Sequence, residues 1–226
     1  MGHLGHGTRY SYEMGLEEFE DEHAVAVFLN DGRVCTFPYI LVGEEAFSDE
    51  NKLFLRRKET HYQLFDLESR YSYLLYPSEN GYLPYKLTKI QNSQGHQIQF
   101  FYDPNGYLCQ MIDSVGRKLD VTTNQQGYIT QVSLKEDNLT NPHVLVRYAY
   151  NQEQDLETIT DAAGLDTCLK YRNHLLVKKT DRNKHSFYWE YDKYEDGARA
   201  LHTWGDEGVL SLWIDYHDDE GYNTVI

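Results

Sequence analysis

Apolar and polar residues alternate along most of this chain with a period of two. Ile98, Phe100 and Tyr102 fall on one face of an extended segment, and so do Val144, Val146, Tyr148 and Tyr150. Phe187, Trp189 and Tyr191 repeat the pattern, as do Leu210, Leu212, Ile214 and Tyr216. Successive side chains of a strand point to opposite faces, so this spacing predicts half-buried strands. Nearer the start, Val25, Val27 and Leu29 run into Asn30-Asp31-Gly32, after which Val34 to Phe37 resumes the alternation. Asn, Asp and Gly tolerate the positive φ that tight hairpin turns demand, so a hairpin is predicted there. Leu53 with Leu55, Tyr62 with Leu64, and Tyr71 with Tyr73 and Leu75 add three short strands. The best helical candidate is Glu13 to His23. Its acids Glu17, Glu18, Glu20, Asp21 and Glu22 suit a connection between strands, and it is read as a turn.

Composition points the same way. The chain has 226 residues, among them 20 Tyr, 9 Phe and 3 Trp, with 16 Gly against 5 Pro. Aromatic residues fit a pleated, half-buried surface, and glycines mark tight turns, so an all-β fold of short strands is expected. A formal net charge of −15 repels phosphate backbones and anionic lipid, which argues against a nucleic-acid or membrane-surface role. No apolar run of about 18 residues is present that would read as a transmembrane helix. The first residues, Met1 to Gly7, lack the basic start and apolar stretch of a signal peptide. Cys35, Cys109 and Cys168 form no Cys-x-x-Cys pair and support neither a disulfide framework nor a zinc site.

The chain also repeats itself. Gly-Tyr recurs at Gly81-Tyr82, Gly106-Tyr107, Gly127-Tyr128 and Gly221-Tyr222. A second glycine series, Gly95, Gly116, Gly164 and Gly208, follows the apolar residues Ile90, Ile112, Ile159 and Trp204 by four or five positions. Aligned, they define a unit of about 20–24 residues: strand, Asx-rich turn ending in Gly, aromatic strand, second turn. One copy is degenerate, with Asp181-Arg182-Asn183-Lys184 where the turn glycine would stand, and Lys135 to His143 reads as a longer inserted loop. A single hairpin cannot bury its apolar face, so such units must stack into a continuous sheet. The series stops in mid-unit at Asn223-Thr224-Val225-Ile226, so the chain is expected to be a piece of something longer.

Phe101-Tyr102-Asp103-Pro104-Asn105-Gly106-Tyr107-Leu108, followed by Ile112-Asp113-Ser114-Val115-Gly116-Arg117, resembles the YD repeat of the Rhs proteins. Tyr191-Asp192 and Tyr216-His217-Asp218 look like further copies, whereas Tyr148-Ala149-Tyr150-Asn151 lacks the aspartate. Gly5-His6-Gly7-Thr8-Arg9-Tyr10-Ser11-Tyr12-Glu13 is similar to the segment that opens the Rhs core, with Thr8 where Trp is common. Asn30-Asp31-Gly32-Arg33 with Phe37-Pro38 resembles the hairpin that follows it. The resemblance implies a segment of a hollow β-shell, or cocoon, whose repeats enclose a C-terminal toxin. It also implies partners: the rest of a longer bacterial chain, the enclosed toxin, and secretion-system or chaperone proteins. Such a protein is secreted or delivered to a cell surface in interbacterial competition. The motif residues Tyr102, Asp103, Gly106, Gly116, Gly127, Gly164, Gly208 and Gly221 are structural under this reading, and no residue matches a catalytic element.

Other chemistry finds less support. Gly2-His3-Leu4-Gly5-His6-Gly7 lacks the strand before and helix after that a phosphate-cradling loop requires, and it reads as a frayed terminus. His3, His6 and His23 are ligand types, but mobile terminal histidines ordinarily only solvate, so no metal and no cofactor is expected. Paired acids such as Asp103 with Asp113 fall at turns, where Asp hydrogen-bonds its own backbone. Cys35 and Cys168 read as packing residues. Tyr188, Tyr194, Trp204 and Trp213 are the candidates for a carbohydrate-binding platform, weighed against simple packing in a half-wet sheet.

The expected architecture is therefore an all-β, curved antiparallel sheet. Residues 1–86 would form core-opening hairpins, and residues 87–226 five to six YD-type repeats. The expected function is non-catalytic: a structural segment of a toxin-encapsulating shell, with cell-surface carbohydrate binding as the alternative. Exposed strand edges are expected to allow self-association.

Overall fold

A computed structural model describes residues 2–80, 83–135, 142–217 and 221–225, the last of these mainly as backbone. Twenty strands and one short 3-10 turn (Asp206–Gly208) make up the regular structure of the described residues. The all-β expectation holds, and every described strand pairing is antiparallel. By contact the chain divides into two compact units, one of Arg9–Val144 and one of His3–Thr8 with Leu145 onward.

The first unit holds β1 (Gly15–Phe19), β2 (Ala24–Phe28), β3 (Val34–Pro38), β4 (Glu45–Ser48), β5 (Leu53–Arg57) and β6 (Tyr62–Asp66). It continues through β7 (Tyr71–Pro77), β8 (Tyr85–Asn92), β9 (Gln97–Tyr102), β10 (Leu108–Ile112), β11 (Lys118–Thr123) and β12 (Ile129–Lys135). Strands β4 to β12 pair with their sequence neighbours as one meander. The exception to simple succession is at β8. Its Lys89–Gln91 stretch pairs with β9, while Tyr85 and Lys86, on the same edge, pair with β1. The β1–β2–β3 hairpins join the sheet at that fork.

The alternation read from the sequence places the core. Leu16, Val25, Val27, Leu55, Leu64, Leu75 and Leu87 are fully buried, with Phe37 and Tyr62 beside them. At the edge of this core the Arg57 guanidinium donates to the Tyr39 hydroxyl (2.7 Å) and the Ile40 carbonyl (3.1 Å) and pairs with Glu18 at 3.1 Å. Tyr62 donates to the same carboxylate, which burial and that contact explain as the causes pushing its phenol well up. Buried polar groups persist only when partnered, and this cluster partners each of them.

The segment Glu13–His23 differs from its expected form. It is strand β1 followed by a turn at Glu20–His23. Gly15 and Leu16 are buried, and Glu18 is bound by Arg57 and Tyr62, so the acids there are not all solvated turn residues. Tertiary pairing with β2 and β8 overrides the local composition.

The second unit is a plain meander. Strands β13 (His143–Tyr150), β14 (Leu156–Asp161), β15 (Asp166–Arg172) and β16 (Leu175–Thr180) are followed by β17 (Ser186–Tyr191), β18 (Ala200–Gly205), β19 (Leu212–His217) and β20 (Gly221–Val225). Each pairs with the next. Among the described residues no pairing joins β20 back to β13, and the sheet stays open. Leu210, expected in β19, lies outside it with φ of +53° and is largely exposed, because the turn after Gly208 extends through it. Residues 3–8 also depart from the frayed terminus expected of them. They fold onto this unit, with Leu4 buried and the His6 N–H reaching the Gln154 carbonyl at 3.4 Å.

Candidate functional site

The repeat motif builds one turn over and over. Asp103 Oδ1 accepts the N–H groups of Asn105 and Tyr107 at 2.9 and 2.8 Å, while its carbonyl accepts from Gly106 at 2.9 Å. Asp113, Asn124, Asp161 and Asp181 do the same, each binding the N–H groups two and four residues on. The fourth residue of the turn takes a left-handed φ: Gly106 +82°, Gly116 +84°, Gly127 +85° and Gly164 +79°. This is a type I turn closed by a left-handed residue, the usual three-residue hairpin connection, and the Asx side chain supplies the acceptor. In the degenerate copy Lys184 adopts φ of +71° in glycine's place. Gly106 is also sterically required, since a Cβ there would lie 2.2 Å from the Asn80 carbonyl oxygen.

Two positions of the motif depart from that geometry. Gly208 has a left-handed φ but sits in the 3-10 turn with Glu207. Gly221 is the first residue of β20, opposite His217. Gly81-Tyr82, most of the Lys135–His143 loop and the Asp218–Glu220 turn lie outside the described residues.

The tyrosine of the motif has its own task. Tyr102 donates its hydroxyl to the Leu87 carbonyl at 2.6 Å, beyond the last β8–β9 ladder pair. Tyr191 donates in the same way to the Leu176 carbonyl at 2.9 Å, beyond the last β16–β17 pair. Where the two strands part, the phenol bridges the gap and satisfies a carbonyl that the ladder leaves open. Burial is the main cause that raises both phenols above their ordinary range, so they stay protonated donors. Lys86, which the sequence did not single out, completes the first of these sites. Its side chain is buried, donates to the carbonyls of Asn80 and Gly106, and lies 5.1 Å from the Tyr102 ring centre.

Three of the four candidate platform residues come together. Tyr188 on β17 faces Trp204 on β18, and His202 on β18 faces Trp213 on β19. The rings stack in the order Tyr188, Trp204, His202, Trp213, with centroid separations of 5.4, 4.3 and 3.8 Å. Lys178 caps the Tyr188 end at 5.1 Å. Asp206 holds that end in place, accepting from the Ser186 N–H at 2.7 Å and the Tyr188 hydroxyl at 3.0 Å. The Ser186 N–H, then the Tyr188 hydroxyl and Lys178, keep the Asp206 carboxyl below its ordinary range. His202 is anchored by Ser211 at 2.9 Å and was not among the expected residues. Only the cross-strand register reveals it. Tyr194 lies apart, under the Arg172 guanidinium at 3.9 Å and edge-on to Tyr191.

Stacking uses up ring faces. Tyr188, Trp204 and His202 spend theirs largely on one another, and Trp213, 54% exposed, offers the most free surface. Such a row adds about 0.5–1.5 kcal/mol per ring contact to a thin sheet.

Comparison with known proteins accords with this geometry. The Teneurin YD-shell family model matches residues 85–211, more than half of the chain. Double-stranded DNA deaminase toxin A of Burkholderia cenocepacia is 27% identical over 200 residues, which are 85% of this chain and 14% of that protein. Two solved structures are similar at TM-score 0.45: TcdB2-TccC3 without its hypervariable C-terminal region (10% identity) and the Photorhabdus luminescens Tc holotoxin pore (9%). Each alignment covers 85% of this chain and 10% of the other, so the chain spans only a small part of the relatives it matches. The chain belongs to the Rhs/YD-shell family.

Proposed function

We propose that this chain is a non-catalytic wall segment of a much longer Rhs-type toxin, whose repeats enclose a C-terminal toxic domain. The observation that carries the reading is the open meander of Asx-turn hairpins, each making the same connection and each offering its neighbour a new edge. A wall needs such an extensible unit, and its chemistry here is spent on turn closure. The family match and the share of the deaminase toxin that aligns support it. Delivery out of the producing cell, with secretion or chaperone partners, belongs to the same proposal. So does the division into opening hairpins (residues 1–86) and YD repeats (87–226). The test is the size of the native product in source cells, by immunoblot with an antibody against this chain. A band several times larger than 26.6 kDa is expected, whereas a single band at 26.6 kDa overturns the reading.

The second reading is carbohydrate binding, favoured by the exposure of Trp213 at the end of the ring row. A glycan array probed with the wild type and with Trp213→Ala checks it. Loss of a specific glycan signal in the variant supports it, and no signal from the wild type removes it. Tyr188, Tyr194 and Trp204 are assigned to packing in both readings.

A further inference from the structure

Three loops of the second unit converge on a cluster unrelated to the repeat turns. His174 sits at the tip of the β15–β16 hairpin, where Asn173 and His174 take φ of +49° and +66°. Two successive left-handed residues make the tight primed turn of a two-residue hairpin, so the imidazole is carried on a rigid mount. Asp155 closes the β13–β14 turn. Its N–H bonds Asn151 Oδ1 at 2.9 Å, and its side chain is wholly buried. His6 is delivered by the turn at Gly5, whose φ of +91° favours glycine and whose site excludes a Cβ, which would lie 2.6 Å from the Gln154 carbonyl oxygen.

We propose that His6, Asp155 and His174 bind a divalent transition-metal ion of the zinc class, which ties the segment His3–Thr8 to the β13–β16 hairpins. One ligand-type atom from each of the three lies within 4.8 Å of the others. His174 Nδ1 is already 2.8 Å from Asp155 Oδ1, and the His6 ring stacks on that of His174 with centres 4.1 Å apart. Tetrahedral zinc, with bonds of about 2.0–2.2 Å, holds its ligand atoms about 3.4 Å apart, so an entering ion widens the His174–Asp155 pair, which gives up its hydrogen bond, and draws the His6 nitrogen inward. Two imidazoles and a carboxylate form a ligand set that zinc commonly takes, with solvent at a fourth position beside the part-exposed His174. The Asn151 amide reaches Asp155 Oδ2 at 3.3 Å and orients the carboxylate from behind.

The metal-free alternative is an ion pair of His174 with Asp155 and His6 stacked on the His174 ring, and in it His6 contributes no ligand atom. The experiment therefore turns on His6. The purified 226-residue chain is titrated with zinc chloride by calorimetry, and with cobalt chloride by its visible absorption bands. One ion per chain is expected, together with protection of the His3–Thr8 segment from limited proteolysis. His6→Gln and His174→Gln are each expected to weaken binding at least about tenfold. His3→Gln and His23→Gln should leave it unchanged. Circular dichroism of the metal-free variants shows whether they fold, and His6→Gln, on a surface turn, is the decisive one. Zinc affinity unaffected by His6→Gln, or binding that follows His3 or His23 instead, overturns the proposal, as does the absence of binding by the folded wild type.

Discussion

The two units are made of similar strands but buried differently. In the first, fully buried leucines and valines from β1, β2, β5, β6, β7 and β8 pack with Phe37 and Tyr62 into a core. In the second, among the described residues, the buried apolar side chains are Leu4, Leu156 and Leu169, and most strand residues are half-buried. The first unit thus has the hydrophobic support of an independent domain, about 1.5–3 kcal/mol for each large side chain removed from water. The second depends on pairing, on turns and on stacked rings. A sheet of that kind gains stability by adding neighbours rather than by deepening a core, as in other repeat proteins.

The comparison can be broken most directly by removing core. Leu64→Ala, at a wholly buried site in β6, is expected to cost about 3 kcal/mol, whereas Leu212→Ala in β19 should cost under about 1 kcal/mol. Urea denaturation of the two variants checks this, and equal losses would mean that the second unit has a core after all. A smaller effect tests what the units share. Tyr102→Phe and Tyr191→Phe each remove the hydroxyl that bridges parted strands, at a cost of about 1 kcal/mol. Similar losses in both would show that the motif acts independently of the core beneath it. Hydrogen exchange at the neighbouring amides locates the loosening.

Lys184→Gly runs in the opposite direction. A left-handed φ costs a residue with a Cβ about 1–2 kcal/mol, and glycine's extra freedom in the unfolded chain offsets about half of that. A net gain of about 0.5 kcal/mol is expected in thermal unfolding, confined to the second unit. The smallest effect is electrostatic. Asp206 has a folded pKa below its unfolded value near 3.8, so its contribution is present above that pH and is lost as pH falls through the folded value. Near-ultraviolet dichroism of the Trp204 row should therefore decline in acid below pH 3.8, and Asp206→Asn should abolish that step.

Much of the fold was legible because strand alternation and turn chemistry are local. The β2–β3 hairpin follows from Asn30-Asp31-Gly32, and β5, β6 and β7 from their alternating leucines and tyrosines. The Asx turns could be placed because their hydrogen bonds span only five residues. The same reasoning failed at Glu13–His23, where a strand's partners, β2 and β8, lie far away in sequence and outweigh the acidic composition. It named three of the rings that stack but not His202, and Tyr194 falls outside the row, since cross-strand register depends on bulges such as that between Glu190 and Tyr191.

The sequence alone therefore determined the all-β class, the repeating turns and the family, because each depends on residues within one or two hairpins of each other. Only the tertiary structure decided where the core lies, how β8 forks between β1 and β9, and which rings stack. It also decided that His6, Asp155 and His174 meet. Those outcomes are set by contacts between loops and strands distant in sequence, and periodicity carries no information about which distant faces will touch.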